Sequence, residues 1–180
     1  MKAEEKQLVY ALKNPAEKRA AFKLLMDQYQ ERLYFAVRKI LIDHNDTHDA
    51  LQECFVKIWN KINDFNEDSS LYTWMYRIAV NEALQQLRKR KNSFKNEQQY
   101  TEFLETQVST SFLMDGDEIQ KLLQMAILKL PEKQRMVFNM KYFDELKYEE
   151  MAEITNSSVG SLKASYHHAV KKVEEFLKAH

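Results

Sequence analysis

Glycine and proline are scarce in this chain, and their scarcity constrains its fold more than any other feature. The 180 residues include only two glycines, Gly116 and Gly160, and two prolines, Pro15 and Pro131. Strands that pair into sheets need far more turn residues than this. Residues that favour helix are frequent throughout the sequence. The sequence therefore predicts an all-α protein.

Charge and cysteine content limit where the protein works and how it finds a partner. The formal net charge is +0, from 27 basic and 27 acidic residues, so any attraction to nucleic acid must come from local charge asymmetry. Cys54 is the only cysteine, which rules out an internal disulfide and favours a reducing compartment. The first residues lack the apolar core of a signal peptide, and no apolar run reaches the roughly 18 residues of a membrane span. We expect a cytoplasmic protein that is not itself a membrane protein.

Apolar side chains recur at helical spacing through the first ninety or so residues. Residues 4–43 read as amphipathic helix with a break near Asn14-Pro15, and its predicted apolar stripe is Tyr29, Leu33, Val37, Ile40 and Leu41. A second helix is predicted over 47–63 with Asp46 as its N-cap, and its predicted core side is Leu51, Cys54, Phe55, Ile58, Trp59 and Ile62. A polar loop over 64–70 follows, and Ser69 or Ser70 can cap a third helix. The predicted buried side of that third helix is Leu71, Trp74, Met75, Ile78, Leu84 and Leu87.

The third helix carries the groups that unpaired bases require. Binding a single strand requires aromatic rings that stack on bases, amides that hydrogen-bond to base edges and cations that contact phosphates. Tyr72 and Tyr76 supply the first, Asn81 the second, and Arg77 with the basic run 88–91 the third. The simpler interpretation makes the aromatics core and the basic run a solvated helix end, and for Trp74 we adopt it. The pattern otherwise favours a single-strand interface.

The last sixty residues read as four helices, and the final pair has the spacing of a helix-turn-helix. A short helix over 148–154 is followed by the turn 155–158 and by a long helix from Val159 whose first residues are small. The predicted buried side of this last helix is Val159, Leu162, Tyr166, Ala169, Val170, Val173, Phe176 and Leu177, and its opposite side is Gly160, Ala164, His167, His168 and Lys171. Small residues let the start of a helix approach a groove floor. A plain helical hairpin has the same periodicity, so the pattern alone leaves both open.

Histidine placement does not indicate a metal site, and no catalytic motif is present. His44 and His48 lie near Cys54, but Cys54 points into its helix's apolar side, and adjacent His167 and His168 point about 100° apart on a helix. The chain has no glycine-rich phosphate loop, nucleophile elbow or HExxH sequence. We therefore expect no enzyme activity, no catalytic residue, no metal and no cofactor.

Residues 46–59 have the pattern D-x-x-D-x-x-Q-E-x-F-x-x-x-W, and the aromatic helix 70–81 and the helix pair from residue 148 follow in order. Together these three motifs resemble the compact extracytoplasmic-function (ECF) class of the bacterial sigma-70 family of sigma factors. Residues 46–59 are similar to a helix of that family, and residues 70–81 to its promoter-melting helix. Residues 148–154 and 159–163 resemble its Y-E-E-I-A-E-I and V-G-T-V-K. This class keeps only the second and fourth conserved regions. The resemblance implies a protein that binds core RNA polymerase and directs promoter recognition, promoter melting and transcription initiation.

The resemblance also implies roles for individual residues and partners. Partners would be promoter DNA, the clamp helices and flap of core RNA polymerase and, as a candidate, a membrane-bound anti-sigma factor. The implied polymerase-binding residues are Asp49, Gln52, Glu53 and Asn60. The implied minus-ten DNA-binding residues are Phe65, Asn66, Ser69, Ser70, Tyr72, Arg77, Asn81, Arg88 and Lys91. The implied minus-thirty-five DNA-binding residues are Ser158, Lys163, Ala164, His167, His168 and Lys171.

The implied organisation is two small helical domains on a flexible tether. Residues 1–92 would be sigma region 2, which binds polymerase and melts the minus-ten element, and residues 118–180 would be sigma region 4. Between them, residues 93–117 lose helical periodicity and gain acids, which suits an acidic flexible linker. The apolar residues of that segment would either dock transiently or form a short helix.

Two departures from the family pattern and two alternatives accompany this interpretation. The family often has V-K-S-R followed by H-R, whereas this chain has Lys163-Ala164-Ser165 and His167-His168 there and so lacks both arginines, and fewer phosphate contacts are expected from that helix. Lys147 stands where a Ser or Thr cap is usual. The first alternative is a dimeric helix-turn-helix regulator that acts without being a polymerase subunit. The second is a helical adaptor with no DNA role.

Overall fold

Helices make up the secondary structure of the described part of the chain. The computed structural model describes residues 3–112 and 118–180, and within those ranges it has no strand. This confirms the all-α prediction. The helices are α1 (Ala3–Lys13), α2 (Lys18–Leu41), α3 (His44–Lys61), α4 (Leu71–Asn92), α5 (Glu97–Phe112), α6 (Glu118–Leu128), α7 (Glu132–Tyr142), α8 (Tyr148–Thr155) and α9 (Val159–Lys178). A 3₁₀ turn, Ile62–Asp64, follows α3.

The chain divides into two compact units, Met1–Gln86 and Leu87–His180, and α4 runs through the division. Two helical units are what the sequence predicts. The functional boundaries predicted from the sequence, 1–92, 93–117 and 118–180, differ from this division and stay a prediction.

The first unit is built on the predicted apolar stripe of α2. Tyr29, Leu33, Val37, Ile40 and Leu41 are all buried, which confirms that stripe as core. The break before α2 is a turn in which the backbone N–H of Ala16 donates to Asn14 Oδ1 (3.1 Å). Pro15, which has no N–H to donate, therefore lies in the turn and not inside the helix.

Helix α3 begins one turn earlier than the sequence predicts. It starts at His44, and its N-cap is Asp43, whose carboxylate accepts from the backbone N–H of Asp46 (2.9 Å). Both aspartates suit a cap, and Asp43 has the extended backbone that a cap requires. Asp46, the predicted cap, is instead buried within the first turn.

The second unit closes around an apolar cluster shared by α6, α7 and α9. Its buried members are Ala126, Ile127, Leu130, Phe138, Ala169 and Val173. The last two belong to the predicted buried side of the final helix, together with Leu162, which is also buried. The opposite side of α9 is exposed to solvent, as the sequence predicts.

The structure has a helix where the sequence predicts an extended linker. Helix α5 buries Tyr100, Leu104 and Val108, whose exposed fractions are 6%, 5% and 3%. These residues recur every four positions and so form one apolar stripe, which favours helix over an extended chain. Of the two possibilities the sequence leaves for this segment, the short helix is the one observed. The rest of the predicted linker, residues 113–117, lies outside the described residues.

Candidate polymerase and nucleic-acid interfaces

Helix α4 begins at a well-capped end, directly after the polar loop. Ser70 is the cap, because its Oγ accepts from the backbone N–H of Thr73 (3.0 Å). The backbone N–H of Leu71 donates to Glu5 Oε1 at 2.6 Å, so a residue of α1 satisfies a second free N–H. Fixing these groups holds the loop and the first turn of α4 in one arrangement.

Most of the predicted minus-ten residues lie where solvent reaches them. Asn66, Arg77 and Asn81 are exposed, and Ser69 and Ser70 are partly buried. Arg77 and Asn81 are four residues apart and therefore share one face of α4. Further along the same helix, Arg88 and Lys91 are also exposed.

Phe65, one of the predicted minus-ten residues, buries its ring and does not present it for stacking. Phe65 is 2% exposed and its ring centroid lies 5.3 Å from that of Trp74. Its carbonyl oxygen accepts from Lys13 Nζ (2.7 Å). The apolar ring packs in the core beneath the loop, and Phe65 therefore supports the loop from its buried side.

The two tyrosines of α4 differ in accessibility. Tyr76 is 1% exposed, so the structure assigns it to the core and not to a stacking surface. Tyr72 is partly buried, and the Arg32 guanidinium carbon lies 3.9 Å from its ring centroid. The ring of Tyr29 stacks on that of Tyr72, with centroids 6.1 Å apart. The sequence could not separate these two tyrosines, because each lies at the edge of the apolar stripe.

The outward side of α3 carries the predicted polymerase-binding residues. Asp49, Gln52, Glu53 and Asn60 are all exposed. Beside them α2 and α3 form an apolar groove of about 870 Å³. Phe35 and Val56 line this groove and are 53% and 49% exposed, and Trp59, predicted as core, is 36% exposed. Apolar spacing alone does not predict this groove, and its signal in the sequence is Val56, an exposed apolar residue outside the regular stripe of α3.

His44 and His48 form an aromatic cluster at the start of α3. Their ring centroids are 4.4 Å apart with nearly perpendicular planes, and the Tyr34 hydroxyl is hydrogen-bonded to His44 Nδ1 (2.8 Å). Among the described residues, no three His, Cys, Asp or Glu side chains are arranged to hold a metal ion. Ring packing accounts for the placement of both histidines.

The turn between α8 and α9 spans residues 156–158 and is capped on both sides. Asn156 ends α8 with left-handed backbone angles (φ 51, ψ 46), and Ser158 begins α9 by accepting from the backbone N–H of Ser161 (3.2 Å). A Cβ added at Gly160 would meet nothing within 4 Å, so the start of α9 is open. The predicted minus-thirty-five residues are all exposed: Ser158, Lys163, Ala164, His167, His168 and Lys171.

Two lysines approach Tyr148 at the start of α8. Lys163 Nζ lies 5.5 Å and Lys141 Nζ 5.2 Å from its ring centroid. At the same helix end, the backbone N–H of Lys147 donates to Glu150 Oε2 (2.8 Å). An ammonium group accepts no hydrogen bond, so only this half of a capping arrangement forms at the unusual cap position.

Both helical units match models of a known protein family. A family model described as Sigma-70 region 2 matches residues 25–93, and one described as Sigma-70, region 4 matches residues 120–173. The ECF RNA polymerase sigma factor SigW of Bacillus subtilis (strain 168) is 30% identical over 156 residues, covering 82% of this chain and 83% of SigW. This chain is an ECF sigma factor of the sigma-70 family.

Other relatives of this sigma factor agree. The ECF RNA polymerase sigma-E factor of Haemophilus influenzae is 30% identical over 163 residues, covering 86% of both chains. CnrH, solved with the cytosolic domain of CnrY, superposes with a TM-score of 0.70 at 21% identity over 97% of both chains. RpoE of Bartonella quintana, solved with the anti-sigma factor NepR, gives 0.68 at 22% identity over 87% of this chain and 96% of RpoE. These two structures share the fold.

Membership of the sigma-70 family also bears on the two alternative functions and on enzyme activity. Sigma factors are initiation factors and not enzymes. Neither a regulator independent of polymerase nor an adaptor without a DNA role is favoured for this sigma factor. In the described ranges, none of its helices combines the length and apolar character needed to cross a bilayer.

Proposed function

We propose that this sigma factor binds core RNA polymerase through the outward side of α3 and directs promoter recognition and melting through α4 and α9. Asp49, Gln52, Glu53 and Asn60 are the proposed polymerase contacts, because all four are exposed on one helix. The apolar groove next to them adds surface whose burial on docking is favourable. The exposure of Asn81 on α4 is the observation on which the proposal depends most.

Minus-ten recognition is assigned to the loop before α4 and to the exposed side of that helix. Asn66 and Asn81 offer amides to base edges, and Arg77, Arg88 and Lys91 offer cations to phosphates. Extruding a base from the duplex costs about a few kcal/mol, and these contacts offset that cost. The protein makes and breaks no covalent bond. It favours opening because these contacts lower the free energy of the open strand relative to the duplex.

Minus-thirty-five recognition is assigned to α9. Its exposed side begins with Ser158 and Gly160, which keep the helix end small, and continues with Lys163, His167 and His168. A helix of this shape enters the major groove with its first turns against base edges. Because Ser165 and His168 stand where the family pattern has arginine, we expect this helix to make few phosphate contacts and to bind duplex weakly by itself.

The functional boundaries are proposed as region 2 over 1–92, a connecting acidic segment over 93–117, and region 4 over 118–180. Extending region 2 to residue 92 keeps the whole of α4 with the minus-ten loop. We further infer a cytoplasmic protein, because promoter DNA and polymerase are cytoplasmic in bacteria.

An anti-sigma factor, membrane-bound or free, is a further proposed partner. Its support is that RpoE of Bartonella quintana was solved in complex with the anti-sigma factor NepR. A pull-down of this chain from its source cell tests the proposal. Recovery of a second partner besides polymerase subunits is expected, and recovery of polymerase alone would contradict it.

The Asn81→Ala variant tests minus-ten capture directly. With core polymerase and a promoter that carries 2-aminopurine in the minus-ten element, we expect the fluorescence rise on opening to slow by about tenfold, the effect of losing one or two good hydrogen bonds. Asn63→Ala, an exposed asparagine before the loop, is the matched control and should open the promoter normally. Equal rates for both variants would remove Asn81 from the proposed site.

A further inference from the structure

Two polar contacts within the first unit join α3 to α4. Lys57 Nζ lies 2.6 Å from Glu82 Oε1, and the two side chains are 40% and 9% exposed. Gln86 Nε2 donates to Asp46 Oδ1 at 3.2 Å. Both contacts bridge residues far apart in sequence, and Glu82 and Gln86 are one helical turn apart on α4.

The position of the ion pair relates two proposed surfaces. Lys57 belongs to α3, between the proposed polymerase contacts Glu53 and Asn60. Glu82 directly follows Asn81, the proposed minus-ten contact, and points inward while Asn81 points to solvent. The pair therefore connects the helix that would dock on polymerase with the residue that would hold an unpaired base.

Stability alone does not explain a charged pair at this position. Taking a carboxylate out of water is costly, and well-packed apolar residues of similar size often replace such pairs with no loss of stability. The surroundings are apolar enough that burial raises the pKa of the neighbouring Cys54 thiol to about 12. What an ion pair adds over apolar packing is direction, because it forms only when the two groups meet at one place.

We propose that the Lys57–Glu82 pair fixes the rotation and register of α4 on α3 and thereby positions Asn81 for base capture. Rotating an α-helix by one residue turns each side chain by about 100°, so a small slip would take Asn81 away from a captured base. Lys57 and Glu82 are positioning residues that need not touch DNA. The inference rests on the proposed function of α3 and α4.

The sharpest test removes both charges together. In Lys57→Met with Glu82→Leu, no buried charge is left without a partner, so we expect the folded state to be kept. The variant should bind core polymerase with an affinity within about twofold of wild type. It should open the 2-aminopurine promoter about tenfold more slowly, because misplacing a functional group such as the Asn81 amide can slow a step by at least that factor. Lys61→Met, an exposed lysine one turn along α3, is the matched control and should match wild type in both measurements.

Conservative variants separate positioning from loss of packing. Lys57→Arg keeps a cation opposite Glu82 and should restore the rate of promoter opening to within about threefold of wild type. A threefold change in rate corresponds to less free energy than one hydrogen bond typically contributes. Glu82→Gln keeps the size but removes the charge, and should slow opening as the double variant does.

Three outcomes are distinguishable. If the double variant is folded and opens the promoter as fast as wild type, the positioning proposal is overturned and the proposed function stands. If polymerase binding and opening fall in parallel in the double variant, the pair serves docking as a whole, which also overturns the proposal. If wild type itself neither binds core polymerase nor opens the promoter, the proposed function has failed.

Discussion

Glu5 is a single residue that joins the first helix to the helix proposed to melt DNA. Its carboxylate accepts from the backbone N–H of Leu71, the first residue of α4. Removing a side-chain acceptor at a helix start typically costs about 1 kcal/mol. We expect Glu5→Ala to lower the free energy of unfolding by about that amount in urea denaturation. Glu4→Ala, an exposed neighbour, is the control, and equal effects of both variants would contradict the capping role.

Cys54 makes stability depend on pH in the alkaline range. Burial, reinforced by the negative charge of Glu82, raises the pKa of its thiol to about 12, whereas an unfolded thiol titrates near 8.5. The folded state therefore keeps its proton while the unfolded state loses it, so the contribution is complete below pH 8.5 and is lost as the pH rises above it.

The Cys54→Ala variant isolates that contribution. Between pH 8 and 9.5, we expect wild type to lose about 1 kcal/mol more unfolding free energy than the variant does. Burial also raises the pKa of Tyr29 and Tyr166, but both tyrosines are present in wild type and variant and cancel in the comparison. Parallel pH profiles would show that the folded thiol ionises as easily as the unfolded one.

Residue by residue, the sequence predicts exposure well where a side chain is charged and poorly where it is aromatic. Every predicted polymerase or minus-thirty-five residue is polar or small, and each is exposed. Phe65 and Tyr76 are buried because packing an aromatic ring in the core is strongly favourable. The spacing of apolar residues along the sequence does not show which rings are packed in this way. Trp59 differs in the opposite direction, since it remains 36% exposed beside the apolar groove.

At the scale of one element, α9 offers a measurable electrostatic signature. Lys163 is exposed on the proposed DNA-facing side of α9, and replacing it with methionine removes one cation. With polymerase and a promoter, Lys163→Met should weaken binding to all sequences alike and reduce the slope of log affinity against log salt by about one. Lys178→Met, at the far end of α9, is the control. An unchanged salt slope in Lys163→Met would place that lysine away from phosphates.

The limits of sequence prediction are also visible element by element. Strongly periodic helices such as α2 and α9 are predicted correctly, because a long apolar stripe has one way to be buried. The start of α3 is missed by one turn because Asp43 and Asp46 are both good caps. Helix α5 is left as one of two possibilities because its stripe of Tyr100, Leu104 and Val108 is short and surrounded by polar residues.

At the scale of the whole molecule, charge explains why this sigma factor needs its polymerase. The net charge is +0, so attraction to DNA comes only from local basic surfaces such as the end of α4 and the exposed side of α9. We therefore expect weak duplex binding by the free protein and promoter opening only when polymerase holds both surfaces against the same DNA. The sequence predicts the two helical units and their family, whereas the apolar groove and the Lys57–Glu82 pair emerge only from the fold.

Run-off transcription tests the central claim most directly. Core RNA polymerase is combined with this protein on a pool of promoter fragments from its source genome, and transcripts are compared with those of core enzyme alone and of core enzyme with Asn81→Ala. The account predicts discrete transcripts from a subset of fragments that require the wild-type protein and weaken with Asn81→Ala. Transcript patterns that are the same with and without the protein, on every fragment, would contradict it.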